Sequence, residues 1–290
     1  MKKILITGAN GQLGKALSAN VPDGYEALVA DRQSLNISDA GSVTAWVNDN
    51  SPDGIINAAA YTAVDKAETE ADLAKLANTH GPKNLAVAAV ERGIPMVHVS
   101  TDFVFNGNAG APYRTDDSSD PLSVYGVTKR DGEQEVLSAH GDKAAILRTA
   151  WVYDASGSNF VMTMLRLMQE KDSLGVVADQ IGTPTYVHGL AEACWSLLNK
   201  ELIGIFHWTD AGVASWYDFA VAIQEEALGL GVLSEAIPIN PLTTADFPTP
   251  ARRPSNSVLD KTSTWQALGM TAPHWRDNLR TALVTLRSST

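Results

Sequence analysis

Tyr125 and Lys129, in the segment VYGVTK, are residues of the types that could exchange a proton with a substrate. They stand four residues apart, so a helix would place both side chains on one face. A tyrosine is a poor acid or base near neutral pH unless its pKa is lowered toward the working pH. A lysine ammonium one turn away favours the phenolate and so lowers that pKa. The same spacing is typical of an ordinary solvated helix face, so the pair needs support from other residues.

Thr101 offers a hydroxyl group that could polarise a carbonyl oxygen. It lies in the segment STD, Ser100 to Asp102, at the end of a mostly apolar run that predicts a strand. In open α/β sheets, ligands bind beyond the carboxyl ends of the strands. A hydroxyl at such a strand end, combined with Tyr125 and Lys129, favours chemistry at a substrate carbonyl.

The segment TGANGQLG places Gly8, Gly11 and Gly14 between an apolar run and a predicted helix. Gly8 permits a tight turn, Gly11 lets the backbone approach a pyrophosphate, and Gly14 allows the helix to pack closely on a sheet. The amides and the positive dipole end of the helix would then face the phosphates. The spacing is G-x-x-G-x-x-G rather than G-x-G-x-x-G, so these glycines alone are also consistent with an ordinary turn.

Asp31 strengthens the nucleotide interpretation, since it closes the second predicted strand roughly 20 residues after the loop, where a ribose-binding acid is expected. Arg32 follows it and could meet a 2′-phosphate. The pair therefore predicts a dinucleotide cofactor, with both NADH and NADPH accepted.

The elements that must position these residues alternate regularly along the first half of the chain. This alternation predicts an α/β fold with a doubly wound parallel sheet. The predicted strands are ILIT, EALVA, GIINAAA, PMVHVS and AAILRT, and the predicted helices begin near Gln12, cover ISDAGSVTAWVNDN, span about 66–92 and run over about 124–140.

The pattern changes after Arg148, where tryptophan, proline and glycine become frequent. Two later segments, SWYDFAVAIQEEALGLG and WRDNLRTALVTLR, are typical of amphipathic helices. We therefore expect a dinucleotide-binding Rossmann domain over 1–150 and a smaller mixed α/β substrate-binding lobe over 151–290. A segment near 175–205 is expected to return to the first domain.

Composition limits the classes of partner. The 290 residues carry a net charge of −11, which argues against nucleic acid or an anionic membrane as the main partner, and no apolar run approaches the length of a membrane span. Cys194 is the only cysteine, so a reducing compartment, the cytoplasm, is expected. The histidines form no cluster with metal-ligand spacing, His98 is interpreted as a core residue, and Trp216 as a packing residue at a helical position.

Taken together, these motifs resemble the extended short-chain dehydrogenase/reductase family over nearly the whole chain. The resemblance implies an NADPH- or NADH-dependent oxidoreductase that reduces the C4 ketone of dTDP-6-deoxy-L-lyxo-4-hexulose to dTDP-L-rhamnose. It implies a small-molecule sugar nucleotide as the partner and a monomer or homodimer. The segments that carry it are TGANGQLG, NAAAYTAVDKAE, STDFVF, VYGVTK, RTAWVY, NFVMTML, DQIGTPT and PTPARRPSNSVL.

The resemblance also implies roles for individual residues. Tyr125 would donate the proton, Lys129 would hold the nicotinamide ribose, and Thr101 would complete the catalytic set. The expected cofactor contacts are Gly8, Gly11, Gln12, Leu13, Gly14, Asp31, Arg32, Asn36, Ile37, Ala58, Ala59, Ala60, Tyr125 and Lys129. The expected substrate contacts are Val64, Thr101, Asp102, Trp151, Arg252 and Arg253.

One departure from the family concerns metal. Some relatives bind magnesium at a dimer contact through two glutamates, and the matching positions here are Ala16 and His188. Alanine has no ligand atom, and the imidazole nitrogen is a softer donor than magnesium prefers. We therefore expect no magnesium requirement and no metal-bridged dimer.

Two other functions fit the same fold. A non-catalytic subunit, resembling the regulatory subunit of methionine adenosyltransferase, would not need Thr101, Tyr125 and Lys129 together. A dehydratase or epimerase of the extended family would recycle a bound cofactor. Dehydratases of this group typically carry an added acid pair beside the strand-end threonine, and no glutamate follows Asp102 in STDFVF. Simple reduction is therefore favoured.

Overall fold

The computed structural model describes residues 1–288, and its main feature is a six-stranded sheet in which every strand pair is parallel. The strand order is β10-β5-β4-β3-β1-β2. The predicted doubly wound parallel sheet is confirmed. The strands of this sheet and of three small two-stranded pairs are β1 (Lys2–Thr7), β2 (Tyr25–Ala30), β3 (Gly54–Asn57), β4 (Met96–Thr101), β5 (Ala144–Thr149), β6 (Val152–Tyr153), β7 (Leu174–Val177), β8 (Ile181–Gly182), β9 (Thr185–Tyr186), β10 (Gly204–His207), β11 (Ala214–Ser215) and β12 (Ile239–Leu242).

Helices cover both faces of the main sheet, as buried parallel strands require. Strands β3 and β5 are buried along their whole length. The helices are α1 (Gln12–Ala19), α2 (Ala40–Asn50), α3 (Val64–Ala67), α4 (Ala71–Lys75), α5 (Gly81–Arg92), α6 (Val124–His140), α7 (Phe160–Glu170), α8 (Val187–Asn199), α9 (Trp216–Gly229), α10 (Thr262–Leu268) and α11 (Trp275–Ser288).

The helix predicted over about 66–92 is wrong as a single element. Residues 68–70 separate α3 from α4, and the continuous helical run over 71–92 contains a π-helical segment (Leu76–His80) between α4 and α5. Pro82 has no N–H and cannot continue the hydrogen bonds of the preceding turn. The Asn78 side chain instead bonds the backbone of Tyr61, accepting from its N–H at 2.8 Å and donating to its carbonyl at 3.1 Å. These bonds tie the π-helical segment to the loop after β3.

The chain beyond residue 150 contributes both to the main sheet and to a second hydrophobic core. Strand β10, which the sequence pattern did not predict, pairs with β5, and α8 packs its apolar face against β1, β4 and α1. Helices α7, α9 and α11 share a separate apolar cluster built around Phe219 and Leu279. We retain the division at residue 150, with a returning segment near 175–205, as a proposal.

The strand order places the candidate site. The order reverses between β1 and β3, and such a reversal opens a crevice at the carboxyl ends of the strands. The glycine turn follows β1, the three alanines follow β3, and Thr101 ends β4. The residues that could take part in binding or catalysis therefore lie along the carboxyl edge of the sheet.

Candidate active site

The glycine turn after β1 is built so that side chains are excluded. Gly8 has φ +68°, and a Cβ there would lie 2.7 Å from the Ala59 nitrogen. A Cβ on Gly14 would lie 2.2 Å from the Gly8 carbonyl oxygen. Gly11 is exposed and is the N-terminal cap of α1, with no side chain covering the helix amides. The turn therefore leaves a bare backbone cradle of the kind that a pyrophosphate occupies.

Asp31 is held in a defined orientation at the end of β2. Its Oδ1 accepts from the Ser34 amide at 2.9 Å and from the Gln33 amide at 3.0 Å, while Oδ2 accepts from Asn10 Nδ2 at 3.0 Å. The hydrogen bonds from Ser34 lower the pKa of the Asp31 carboxyl, so it is ionised at neutral pH. Because Oδ1 closes the turn, Oδ2 is the oxygen with capacity left for a ribose hydroxyl.

This geometry sharpens a test of cofactor choice. We expect Asp31→Asn to keep the turn through its amide oxygen and to lose the charge that a 2′-hydroxyl would donate to. Hydrogen bonds to charged groups are worth about 1.5–3 kcal/mol, so affinity for NADH should fall roughly 10- to 100-fold. Affinity for NADPH should stay constant or rise, because the carboxylate repels a 2′-phosphate.

Fluorescence titration with each cofactor measures both affinities. Asp53→Asn is a matched control, since Asp53 also accepts a backbone amide, Lys3 N at 2.7 Å, at an exposed position. Equal losses for NADH and NADPH in Asp31→Asn would contradict the placement of Asp31.

The other expected cofactor residues differ in what they present. Arg32 and Asn36 are exposed, whereas the Ile37 side chain is buried against Gly81, so only the Ile37 backbone is available to a ligand. Ala58, Ala59 and Ala60 are half-buried after β3, and Gln12 and Leu13 are half-buried at the start of α1. Gln12 Oε1 also accepts from Asn159 at 2.9 Å, which links the glycine turn to the later chain.

Thr101, Asp102 and Tyr125 form a polar group at the carboxyl end of β4, in which Thr101 and Asp102 are buried and Tyr125 is half-buried. The Thr101 hydroxyl donates to Asp102 Oδ1 at 3.0 Å and also acts to lower the pKa of Tyr125. Burial raises the pKa of Asp102 to about 6, against hydrogen bonds from Ser257 and Thr101 that lower it. The Phe103 and Tyr125 rings lie edge to face, 5.6 Å apart.

Burial opposes the lowering of the Tyr125 pKa that is expected from a lysine one turn away. Burial raises the pKa of Tyr125 to about 12, the Thr101 hydrogen bond opposes this, and the Asp102 charge adds to it. Desolvation of the phenolate exceeds any effect of the lysine. Tyr125 therefore carries its proton at neutral pH, as a proton donor should.

Lys129 is almost fully buried, with 2% of its surface exposed. Its Nζ donates to the Val99 carbonyl at 2.6 Å. Burial lowers its pKa to about 8, while the neighbouring Glu133 raises it. Glu133 is itself paired with Arg148, at 2.7 and 2.9 Å. Lys129 is therefore held at the sheet rather than extended into solvent.

A small aromatic cavity is lined in part by Phe103, whose ring packs on Tyr125. Trp151 has φ +47° and stacks on Trp216, with ring centroids 3.6 Å apart. Gly182 leaves room for this arrangement, since a Cβ there would meet the Trp151 indole at 2.7 Å. The cavity is lined by Phe103, Trp151, Gln180, Trp216, Arg253, Pro254 and Ser257.

Arg253 reaches this cavity, whereas Arg252 is exposed. The Arg253 guanidinium donates to Asp65 Oδ2 at 2.9 Å, next to the half-buried Val64 at the start of α3. Its Nε is buried and has no hydrogen-bond partner within residues 1–288. An arginine in this state is suited to an anionic group of a ligand.

Several cavity residues were missed at the level of sequence. Trp216 was interpreted as packing, yet it both packs on Phe160 and lines the cavity. Asp65 lies in the segment AAYTAVDKAE, so the motif was visible although its contact with Arg253 was not. Gln180 and Ser257 carried no distinctive spacing.

The two positions at which relatives carry glutamates do not form a carboxylate pair. Ala16 is buried, and His188 lies 3.7 Å from Asp154 and 3.2 Å from Asn20. In the part of the chain that the structure describes, no three histidine, cysteine, aspartate or glutamate side chains are grouped to hold a metal ion. Within the same range, no helix is both long and apolar enough to cross a bilayer.

A parallel sheet with a bare glycine turn at its reversal point, and a half-buried tyrosine and a buried lysine on the helix after β4, define a protein of the short-chain dehydrogenase/reductase class. The chain belongs to the family described as the RmlD substrate binding domain, which matches residues 1–288. The resemblance predicted from the motifs is thereby confirmed.

Curated relatives cover nearly the whole chain. It is 43% identical over 288 residues to a dTDP-4-dehydrorhamnose reductase from Aggregatibacter actinomycetemcomitans, which covers 97% of this chain and 98% of the relative. It is 38% identical over 296 residues to the dTDP-4-dehydrorhamnose reductase of Escherichia coli K12, covering 99% of both.

Solved structures agree. A dTDP-4-dehydrorhamnose reductase from Clostridium acetobutylicum superposes with a TM-score of 0.93 at 41% identity, covering 98% of this chain and 99% of the other. The Bacillus anthracis enzyme, solved in complex with NADP, has a TM-score of 0.92 at 37% identity, covering 98% and 100%.

Proposed function

We propose that this chain is an NAD(P)H-dependent reductase that converts the C4 ketone of dTDP-4-dehydro-6-deoxy-L-mannose to the alcohol of dTDP-L-rhamnose. The observation that carries the proposal is the grouping of Thr101, Asp102 and Tyr125 at the carboxyl end of β4, close to an aromatic cavity to which Phe103 and Arg253 contribute. Identity of 43% over nearly the full length to a relative named for this activity supports the same substrate.

The chain fits the cofactor in two respects. The glycine turn excludes side chains where a pyrophosphate would lie, and Asp31 presents an ionised oxygen where a ribose would lie. When bound, NAD(P)H supplies the hydride. Lys129 would hold the nicotinamide ribose.

Tyr125 is the proposed proton donor to the C4 oxygen. Its raised pKa keeps the proton on the hydroxyl before reduction, and the developing alkoxide is a strong enough base to take it. Thr101 would hold the same oxygen by a second hydrogen bond, which stabilises the charge that forms there. The Thr101 hydroxyl donates to Asp102 Oδ1, so substrate must compete for that proton.

The cavity provides a place for the rest of the substrate. The Trp151 and Trp216 indoles form an apolar surface suited to a sugar ring, and Arg253 would meet the pyrophosphate of the sugar nucleotide. Asp65 holds Arg253 in that direction. Arg252 is placed beside it on an exposed segment. We further propose a cytoplasmic enzyme that acts as a monomer or homodimer and has no nucleic-acid partner.

A direct assay tests the proposal. Purified protein is supplied with the 4-keto sugar nucleotide and either reduced cofactor, and absorbance loss at the nicotinamide band is followed together with product. We expect stoichiometric oxidation of the cofactor and formation of the 4-hydroxy product. Binding of substrate without cofactor oxidation would instead support a non-catalytic subunit. Release of product without net cofactor consumption would support an epimerase.

The same assay with a chelator tests the metal expectation. Hydride and proton transfer to a ketone need no Lewis acid when Thr101 and Tyr125 hold the oxygen. We expect the full rate after exhaustive chelation and no change in sedimentation when magnesium is restored. A large loss of rate, or a dimer that forms only with magnesium, would show that residues other than Ala16 and His188 supply a site.

A further inference from the structure

A continuous chain of buried polar side chains crosses the sheet from the glycine turn to Lys129. Thr7 ends β1, Asn57 ends β3, and His98 lies in β4. The Thr7 hydroxyl contacts Asn57 Oδ1 at 2.6 Å, Asn57 Nδ2 contacts His98 Nδ1 at 2.9 Å, and His98 Nε2 lies 3.5 Å from Lys129 Nζ. None of the four side chains is more than 2% exposed.

The hydrogen bonds of Asn57 determine where His98 carries its proton. Asn57 Oδ1 receives both the Thr7 hydroxyl and, at 3.2 Å, the Ala59 N–H. The amide nitrogen of Asn57 therefore faces His98 Nδ1 and donates to it. Burial is the largest cause that holds the pKa of His98 well below its ordinary value, so the ring is neutral. A neutral imidazole that accepts at Nδ1 is protonated at Nε2.

We infer that His98 is a positioning residue for Lys129, with its Nε2–H held toward the lysine Nζ by Asn57 and Thr7. The Nζ is then fixed between two groups, the Val99 carbonyl, to which it donates at 2.6 Å, and the His98 N–H. An amine accepts from that N–H, whereas an ammonium meets it as a second donor. The hydrogen-bonded row of Thr7, Asn57 and His98 therefore favours the uncharged form of Lys129 before cofactor binds.

Other groups around Lys129 also shift its pKa, some upward and some downward. Glu133 on the next turn of α6 raises the pKa of Lys129, and it is neutralised in part by Arg148 of β5. Burial lowers the pKa of Lys129 and is the largest cause. The other titratable or charged groups on or against α6 include Asp102, Tyr125, Glu68 and His140, and the pairs Lys83–Glu135 and Arg130–Asp131. Since none of these changes in a His98 variant, a shift there reports the imidazole.

The test is a titration of Lys129 itself. Protein labelled with ¹³C at lysine Cε is titrated by NMR, and the Lys129 signal is identified by its loss in Lys129→Met. In His98→Phe, which fills the space without an N–H, we expect the Lys129 pKa to rise by about one unit, the scale of one lost hydrogen bond. In His98→Gln, whose amide can donate, the Lys129 pKa should lie between the values of the wild type and of His98→Phe. Thr7→Val, an isosteric change at the far end, should shift the pKa upward by less.

His140→Phe is the matched control, because His140 is a buried histidine on α6 whose Nε2 contacts the distant Ile94 carbonyl at 2.7 Å and whose Nδ1 lies 3.7 Å from Asp142 Oδ1. It should leave the Lys129 titration unchanged. An unchanged Lys129 pKa in His98→Phe and Thr7→Val, or an equal rise in His140→Phe, would overturn the inference.

The role of His98 in turnover rests on the proposed function, but the titration needs neither substrate nor activity. A wild-type protein without reductase activity would therefore refute the proposed function and leave the lysine result standing. In an active enzyme, His98→Phe should move the pH–rate profile by the same amount as the titration. A merely structural loss would lower the rate at every pH without moving the profile.

Discussion

Tyr125→Phe is expected to lower turnover by roughly 10²- to 10⁴-fold, the scale of general acid catalysis. The variant keeps the ring that packs edge to face on Phe103 and removes only the hydroxyl. The developing alkoxide then loses its proton source and one of its two proposed hydrogen bonds. Cofactor affinity should change little, because Gly11, Asp31 and Lys129 are untouched.

Steady-state kinetics with the 4-keto sugar nucleotide, beside a cofactor titration, measure the two effects separately. Tyr25→Phe is the control, since its hydroxyl is bonded to Asn199 at 2.7 Å at the edge of the sheet, away from the proposed chemistry. Turnover of Tyr125→Phe within a few-fold of the wild type would show that another group donates the proton.

Lys129→Met is expected to damage cofactor binding and chemistry together. Methionine keeps an unbranched apolar stem in a buried position and removes the nitrogen. A lost hydrogen bond to a charged or polarised group costs about 1.5–3 kcal/mol, so cofactor affinity should fall roughly 10- to 100-fold. Turnover at saturating cofactor should also fall, because the nicotinamide ribose is no longer held.

A cofactor titration and saturating-cofactor rates separate these two losses. Lys143→Met is a matched control, because Lys143 Nζ also donates to a backbone carbonyl, Gly93 O at 2.8 Å, but on the surface. Thermal unfolding of each variant measures any loss of stability. Wild-type cofactor affinity together with an unchanged pH–rate profile in Lys129→Met would contradict both roles.

The predictions from sequence succeeded where local pattern decides structure. The segment AAILRT forms β5 over its whole length, and the helix expected over about 124–140 is α6. Ser123 caps that helix, accepting from the Gly126 amide at 3.2 Å. The predictions from sequence failed where contacts between residues distant in the chain determine the local structure. The Asn78 side chain bonds Tyr61, and a Cβ on Gly132 would lie 2.0 Å from the Asn78 carbonyl, so the π-helical segment around residue 78 depends on packing against α6.

What the sequence determined by itself is the parallel sheet, the bare glycine turn and the shared face of Tyr125 and Lys129, since each depends on residues close together in the chain. The tertiary structure determined the pKa values of the residues in the candidate site. Burial raises the pKa of Tyr125 and lowers that of Lys129, because desolvation depends on everything that surrounds a group.

Tertiary structure also decided which remote residues meet. Arg253 pairs with Asp65, although 188 positions separate them. Trp216 lies on Trp151, and His98 faces Lys129 across a strand and a helix. Periodicity reports which face of an element is apolar, not which side chain of another element lies against it. These contacts arise only when the sheet order and the returning chain bring the elements together.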